Sequence, residues 1–405
     1  MSEGRAGEIK KLLFGYYVIR LLGFASVGVI FATYALYLES AGRDFLSINL
    51  VNLCFMLGIV FFEVPTGSFA DAYGHRASFV AGMVVEGLAL ILYFFGESHL
   101  EFAAAEIVLA FGVTLQSGSL DAWFINHLRR LGWRGGYGKI FTTASAIERL
   151  TLMAIVWPGV WAAQKYGLNY PFLIGGLTVF AGAAFSVWAM FFWVGNGHAD
   201  RSGEKQTWRL FFANIGQGAR QIVENRRLLF LTLAIFCLAF SFQPINMQWS
   251  ILFKDKFATI NTGIVAFVQA VGVLGGTLIF GVFTAKIRSL RLQMVIIAFA
   301  TGATIALLPQ VSSKPTFIAV VLLHELPRGL MYPLVPNWTN ELISDDRRRA
   351  TIISYTGMLR TLGAAAGLLG SGVLANIGGI PITWLVFGAA GIVMVLLCLF
   401  IDTRQ

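Results

Sequence analysis

Charge is scarce in this sequence. Asp, Glu, Lys and Arg make up 13% of its 405 residues, where a soluble globular domain carries about 25%. With 57% of the chain hydrophobic, there is too little polar surface for an ordinary soluble globule, and the implied solvent is lipid. Cysteine is nearly absent. Cys54, Cys237 and Cys398 all fall inside apolar runs without metal-ligand spacing, which argues against a disulfide framework and a zinc site. There is also no HExxH helix, no Gly-x-Ser-x-Gly elbow and no phosphate-cradling glycine loop. Hydrolytic chemistry and nucleotide-driven work therefore lack their residues, and no catalytic residue, metal or cofactor is implied.

What is present is apolar and periodic. Runs of about twenty residues recur from Phe14 to Ile401, each long enough to cross about 30 Å of hydrocarbon at about 1.5 Å per residue. They predict an all-α membrane protein of twelve transmembrane helices, near 14–38, 46–70, 77–95, 102–126, 140–163, 170–193, 228–252, 261–284, 293–311, 316–340, 350–374 and 380–401. No small-residue cleavage site follows the first run, so it is expected to stay in the mature protein.

An even number of crossings puts both ends on one side. That side carries Arg5, Lys10, Lys11, Arg76, Arg129, Arg130, Arg134, Lys139, the 195–227 loop, Lys286, Arg288, Arg291 and Arg347 to Arg349. The opposite loops hold only Arg43, Lys165, Lys254, Lys256 and Lys314. By the positive-inside rule both termini are expected in the cytoplasm, with the chain in a bacterial inner membrane. The net charge of +9 is then a topology signal, and nucleic acid is not an expected partner.

The longest hydrophilic connection, 195–227, divides the chain into an N-terminal bundle, 1–194, and a C-terminal bundle, 228–405. Within this linker Trp208–Phe212 reads either as a surface-lying amphipathic helix or as loose chain. At an offset of about 211 residues Gly118 pairs with Gly329, Asn126 with Asn337, Arg149 with Arg360, Gly159 with Gly370 and Gly167 with Gly378. Such pairing suggests duplicated six-helix bundles, an arrangement that puts a substrate site at the midplane between halves.

Between the second and third runs the chain reads GSFADAYGHR over residues 67–76, preceded by Glu63, Val64, Pro65 and Thr66. This segment resembles the loop signature of the major facilitator superfamily of secondary transporters, and the layout resembles that family over the whole chain. The resemblance implies two pseudo-symmetric six-helix bundles, alternating access, and a conformational latch at Gly67, Asp71, Gly74 and Arg76. In that latch Asp71 would face the start of the eleventh helix, and the base would pair with an acid or phosphate. His75 stands where the family pattern is usually basic. The resemblance extends loosely to the drug:proton antiporter branch, although Ala110–Gly118 lacks that branch's arginine and Trp157-Pro158-Gly159 replaces its glycine-flanked proline.

An ionisable side chain within a span costs about 2.5–3.5 kcal/mol on insertion scales, so each is paired, snorkelling or functional. Arg20, Glu63 and Asp121 are expected about 7–11 Å deep, and Glu148 and Arg149 about 12–14 Å, on helices that line the cavity in the superfamily. Asp121, Glu63 or Glu148 could exchange a proton with Arg20 or Arg149 as charge partner, or the set could be a static salt-bridge network. In the second half His324, Glu325 and Arg328 lie near the middle of the tenth span, with Arg360 at similar depth in the eleventh. Glu86 and Glu106 receive no specific role.

Polar interruptions of the seventh and eighth spans, Gln243, Asn246, Gln248, Trp249 and Gln269, are candidates for a substrate cavity, as are Gln116, Tyr332 and Tyr355. Amides of this kind also join helices to one another. The expectation is a monomeric, proton-coupled transporter exporting a small amphipathic or drug-like molecule. The alternatives are a carrier of one metabolite or siderophore, whose anion Arg328 and Arg360 would bind, and, more remotely, a membrane sensor or intramembrane enzyme.

Overall fold

The computed structural model describes residues 3–193, 220, 222–343 and 349–401. Among them no strand occurs. The helices are α1 (Glu3–Phe31), α2 (Tyr34–Ser40), α3 (Phe45–Tyr73), α4 (His75–Phe95), α5 (His99–Gln116), α6 (Ser119–Arg130), α7 (Gly138–Tyr166) and α8 (Tyr170–Val187), the last running on as a π-helix over Trp188–Trp193. They continue with α9 (Arg226–Ser241), α10 (Gln243–Phe257), α11 (Gly263–Lys286), α12 (Leu290–Leu307), α13 (Lys314–Leu342) and α14 (Arg349–Cys398). The expected Trp208–Phe212 surface stretch, with Arg347 and Arg348, lies outside the described residues.

Eleven stretches of the described residues are long and apolar enough to cross a membrane, and the last, Tyr355–Cys398, is 44 residues long. At about 1.5 Å per residue such a helix would measure about 66 Å, twice the hydrocarbon thickness. Gly379, at φ 76° and ψ 172°, breaks it into two crossings, which makes twelve.

Three expected spans are interrupted, each for a local reason. The first stops at Phe31 and resumes at Tyr34, with the Thr33 hydroxyl bonded back to the Ile30 carbonyl. The fourth breaks where Gly118 takes a left-handed φ of 67°, a conformation that carries no steric cost without a Cβ. The seventh divides between Ser241 and Gln243, because Pro244 has no N–H to offer the Phe240 carbonyl. The unexpected N-terminal extension of α1 to Glu3 is anchored by Ile9 and Leu12, both buried.

Packing divides the chain into two compact units, Met1–Tyr37 with Cys54–Trp208 and Leu38–Leu53 with Arg209–Gln405. In the first, α1 packs on α7 and α8, and α4 on α5 and α8. In the second, α9 packs on α14, α11 on α13, and α12 on α13 and α14. Residues 38–53 join the second unit through polar bonds: Lys254 Nζ donates to Glu39 at 2.6 Å, Asn49 Nδ2 to the Leu368 carbonyl at 2.7 Å, and Asn376 Nδ2 to Asp44 at 3.0 Å.

The α11–α13 seam rests on backbone-to-backbone approach. A Cβ on Gly276 would stand 2.1 Å from the Leu326 carbonyl oxygen, and one on Gly329 would stand 2.2 Å from that of Val273. Small residues let helices close in lipid, where no hydrophobic drive separates helix from tail. Gly276→Val is therefore expected to cost at least about 1–3 kcal/mol of overpacking and to lower the thermal unfolding midpoint of the purified chain. Gly281→Ala, whose Cβ meets nothing within 4 Å, is expected to leave the midpoint unchanged or higher; equal midpoints for both variants would contradict the seam.

Candidate functional site

In the first unit α1 carries Tyr16 and Arg20 one turn apart, and therefore on one face. Tyr16 is fully buried and stacks on Phe124 of α6 at a centroid distance of 4.1 Å, which fixes its hydroxyl. Arg20 donates to that hydroxyl from Nε at 3.2 Å and from Nη2 at 3.0 Å, and the hydroxyl donates to Asp121 Oδ1 at 2.8 Å. Arg20 Nη2 also reaches Asp121 Oδ1 directly, while Nη1 donates to Glu148 Oε1 of α7 at 3.0 Å. One guanidinium thus holds carboxylates from two other helices.

Among the described residues Asp121 and Glu148 both form ion pairs with the one Arg20 guanidinium, in spans where an ionised side chain costs about 2.5–3.5 kcal/mol. The site is also open: the side chains of Arg20, Asp121 and Glu148 are 26%, 38% and 21% exposed.

The other expected members lie elsewhere in the unit. Glu63 is exposed and accepts a hydrogen bond from Ser117 at the α5–α6 break; no ion pair of Glu63 occurs among the described residues. Arg149 follows Glu148 on α7 and is half-buried. In the loop motif Gly74 adopts φ 92° at the start of α4, next to Arg76, while Gly67 and Asp71 lie in the last turns of α3. Arg76 donates from Nη1 to the Met190 carbonyl at 3.2 Å and lies over the Phe191 ring at 4.9 Å. Met190 lies in the π-helix, whose wider turns change which carbonyls the helix itself uses.

Two buried acids acquire partners that sequence reasoning had not supplied. Glu86 accepts from the Ser26 hydroxyl at 3.0 Å and from Gln116 Nε2 at 2.7 Å, so the Gln116 amide serves the bundle interior. Glu106 accepts from the hydroxyls of Tyr34 and Tyr93, both at 2.6 Å. Tyr16 was missed as well, although its place four residues before Arg20 on a helix was a usable signal.

In the second unit His324 and Glu325 are buried, and Arg328 Nη1 lies 3.7 Å from Glu325 Oε2. His324 Nδ1 is 2.9 Å from the Thr304 hydroxyl of α12, and the Phe242 ring meets both the imidazole edge, at 5.7 Å, and the Arg328 guanidinium, at 5.5 Å. Arg360 is exposed, with no ion pair among the described residues.

Of the cavity candidates, Gln243 is buried with its amide on the Ala239 carbonyl at 3.2 Å. Gln248, also buried, donates to the Ser371 carbonyl at 3.4 Å and accepts from Trp384 Nε1 at 2.9 Å, which makes it a joint between α10 and the two crossings of α14. Trp249 is buried, Asn246 and Tyr355 are half-buried, and Tyr332 is exposed. Gln269 is buried with an amide oxygen that has no hydrogen-bond partner among the described residues.

Comparison with known proteins agrees with this architecture. The sequence model described as Major Facilitator Superfamily matches residues 16–323 and 231–405. An uncharacterised MFS-type transporter, YxaM, of Bacillus subtilis (strain 168) is 22% identical over 371 residues, covering 89% of this chain and 88% of the relative. A second uncharacterised MFS-type transporter, MJ1560 of Methanocaldococcus jannaschii, is 27% identical over 175 residues, 42% of this chain and 43% of its own. Among solved structures, a mutant form of the nucleoside transporter NupG superposes with a TM-score of 0.81 at 13% identity, covering 96% of this chain and 99% of that one. Another NupG structure gives 0.78 at 13% identity, over 97% and 100% of the two chains. At such identity the likeness is one of fold.

Removing the shared cation leaves two acids facing each other. Arg20→Gln is expected to destabilise the protein by about 1.5–3 kcal/mol, the range for a hydrogen bond to a charged group, seen as a lower unfolding midpoint at neutral pH. Adding Asp121→Asn and Glu148→Gln to Arg20→Gln should restore most of the loss, because no uncompensated charge then remains. No recovery in the triple variant would mean that Arg20 acts through packing alone.

Proposed function

Since the chain belongs to the Major Facilitator Superfamily and is a multi-pass membrane transporter, we propose that it is a proton-coupled antiporter exporting a small amphipathic molecule by alternating access. The observation that carries this reading is the Arg20–Asp121–Glu148 set, in which one guanidinium serves two carboxylates on a partly exposed face. Two acids that share one cation give the site a use for a proton. In the proposed cycle protonation of Asp121 or Glu148 loosens its hold on Arg20, and deprotonation restores it. The energy therefore comes from the proton gradient, which suits a chain without a nucleotide-binding motif.

The latch at Gly67, Asp71, Gly74 and Arg76, the division into six-helix halves at 195–227, cytoplasmic termini in a bacterial inner membrane and a monomeric state belong to the same proposal. The basic residues crowded on alternate loops support the orientation. Glu325, with Arg328 and His324 beside it, is proposed as the second protonation centre. Asn246, Tyr355 and the Gln269 amide oxygen, which has no hydrogen-bond partner among the described residues, are the groups best suited to meet a substrate in that half.

The test uses purified protein in liposomes under an imposed pH gradient, with an interior pH dye and a panel of lipophilic cations, antibiotics and organic anions. Addition of a transported compound is expected to move protons in the wild type and to move none in Asp121→Asn. Full coupling in a folded Asp121→Asn variant would remove that residue from the mechanism. Mutual competition among unrelated compounds is the expected mark of a permissive exporter; transport of a single compound, without competition, would favour the specific-metabolite reading.

A further inference from the structure

A separate basic pocket lies in the second unit, where α9 begins and α11 turns into α12. It is a cavity of about 190 Å³ lined by Arg227, Phe230, Arg288, Ser289, Leu290 and Arg291. A liquid water occupies about 30 Å³, so the space exceeds what a structural water needs. Of the described residues that line it three are arginines, and none is acidic. None of the three forms an ion pair among the described residues.

Two of the guanidinium groups are held in place by other means. Arg227 lies over the Trp338 ring at 5.7 Å and Arg291 over the Phe230 ring at 6.0 Å. Arg291 Nη2 donates to the Ile401 carbonyl, and its Nε is buried without an acceptor among the described residues. Ser289 caps α12, its hydroxyl accepting from the Leu292 amide at 3.4 Å. Gathering three like charges around one cavity costs energy unless an anion shares it. A basic excess required by topology alone explains arginine on this side, but not its convergence on one hollow with a donor left over.

We propose that this pocket binds a phosphate group. The planar fork of arginine matches phosphate oxygens in pairs, and three forks around one hollow give more donors than a carboxylate could use. The pocket sits at the ends of membrane-crossing helices, at the α9 and α12 starts and beside the α14 end. That is the level of lipid headgroups, and basic pockets between helices at that level suit an anionic headgroup phosphate. Free phosphate shares the chemistry. The site is distinct from the Arg20 set and does not depend on the coupling ion or the substrate.

Native mass spectrometry of the detergent-purified chain tests the proposal with phosphatidylglycerol, phosphatidylcholine and inorganic phosphate as separate probes. Phosphatidylglycerol is expected to be retained with about tenfold or greater preference over phosphatidylcholine. In an Arg227→Gln, Arg288→Gln double variant that preference should fall by about tenfold or more, as loss of charged hydrogen bonds requires, with phosphatidylcholine retention unchanged as the control for folding. Binding of inorganic phosphate that the double variant loses, without preference between the lipids, would assign the pocket to free phosphate. Equal retention of both lipids with no phosphate bound, or a double variant that binds like the wild type, would overturn the proposal.

Discussion

The first unit depends on one guanidinium. Arg20 reaches α6 through Asp121, α7 through Glu148 and its own helix through Tyr16, so three separate helices meet at a single charged group. In water such contacts would contribute little, since exposed ion pairs contribute about 0–1 kcal/mol. Within a membrane span the alternatives are worse, because an acid without its partner must carry its charge unpaired or take up a proton. The interaction that joins these three helices is therefore the one on which the proposed mechanism rests, so that structure and proposal share the same atoms.

The two halves solve the same packing problem differently. Gly118 and Gly329 occupy matching positions at the 211-residue offset, yet Gly118 turns the chain at φ 67°, whereas Gly329 lies inside α13 and admits the Val273 carbonyl. Asp121, at the same offset, corresponds to Tyr332. The second half places its buried acid, Glu325, seven residues or about two turns earlier and pairs it along its own helix with Arg328. The acid of the first half is paired across helices, through Arg20, and that of the second half along its own helix, through Arg328.

Helix number and class were legible because apolar runs about twenty residues long have few other uses, and the loop at 67–76 pointed to the family. The breaks were less so. Pro244 explains the break in the seventh span once the helices are seen, but Gly118 is one glycine among 44, and only the backbone reveals which of them turns left. Depth counting grouped Arg20, Asp121 and Glu148, which the structure joins in ion pairs, since all three lie on helices of one bundle at comparable height. It also drew in Glu63, which lies at similar depth but turns to Ser117, because depth along a helix carries no information about rotation around it. The amides Gln243 and Gln248 illustrate the same limit: the polar interruption was evident, but whether it faces a cavity or a neighbouring helix depends on packing.

The central claim is that Asp121 and Glu148 share one cation and exchange one proton. Infrared difference spectroscopy between acid and alkaline pH, on the protein in lipid, observes the carboxyl groups themselves. The protonated-carboxyl stretch should titrate, and a component equivalent to one group per chain should vanish in Asp121→Asn or in Glu148→Gln. If that band is identical in the wild type and both variants, the two acids stay ionised throughout, and Arg20 is holding a static salt bridge.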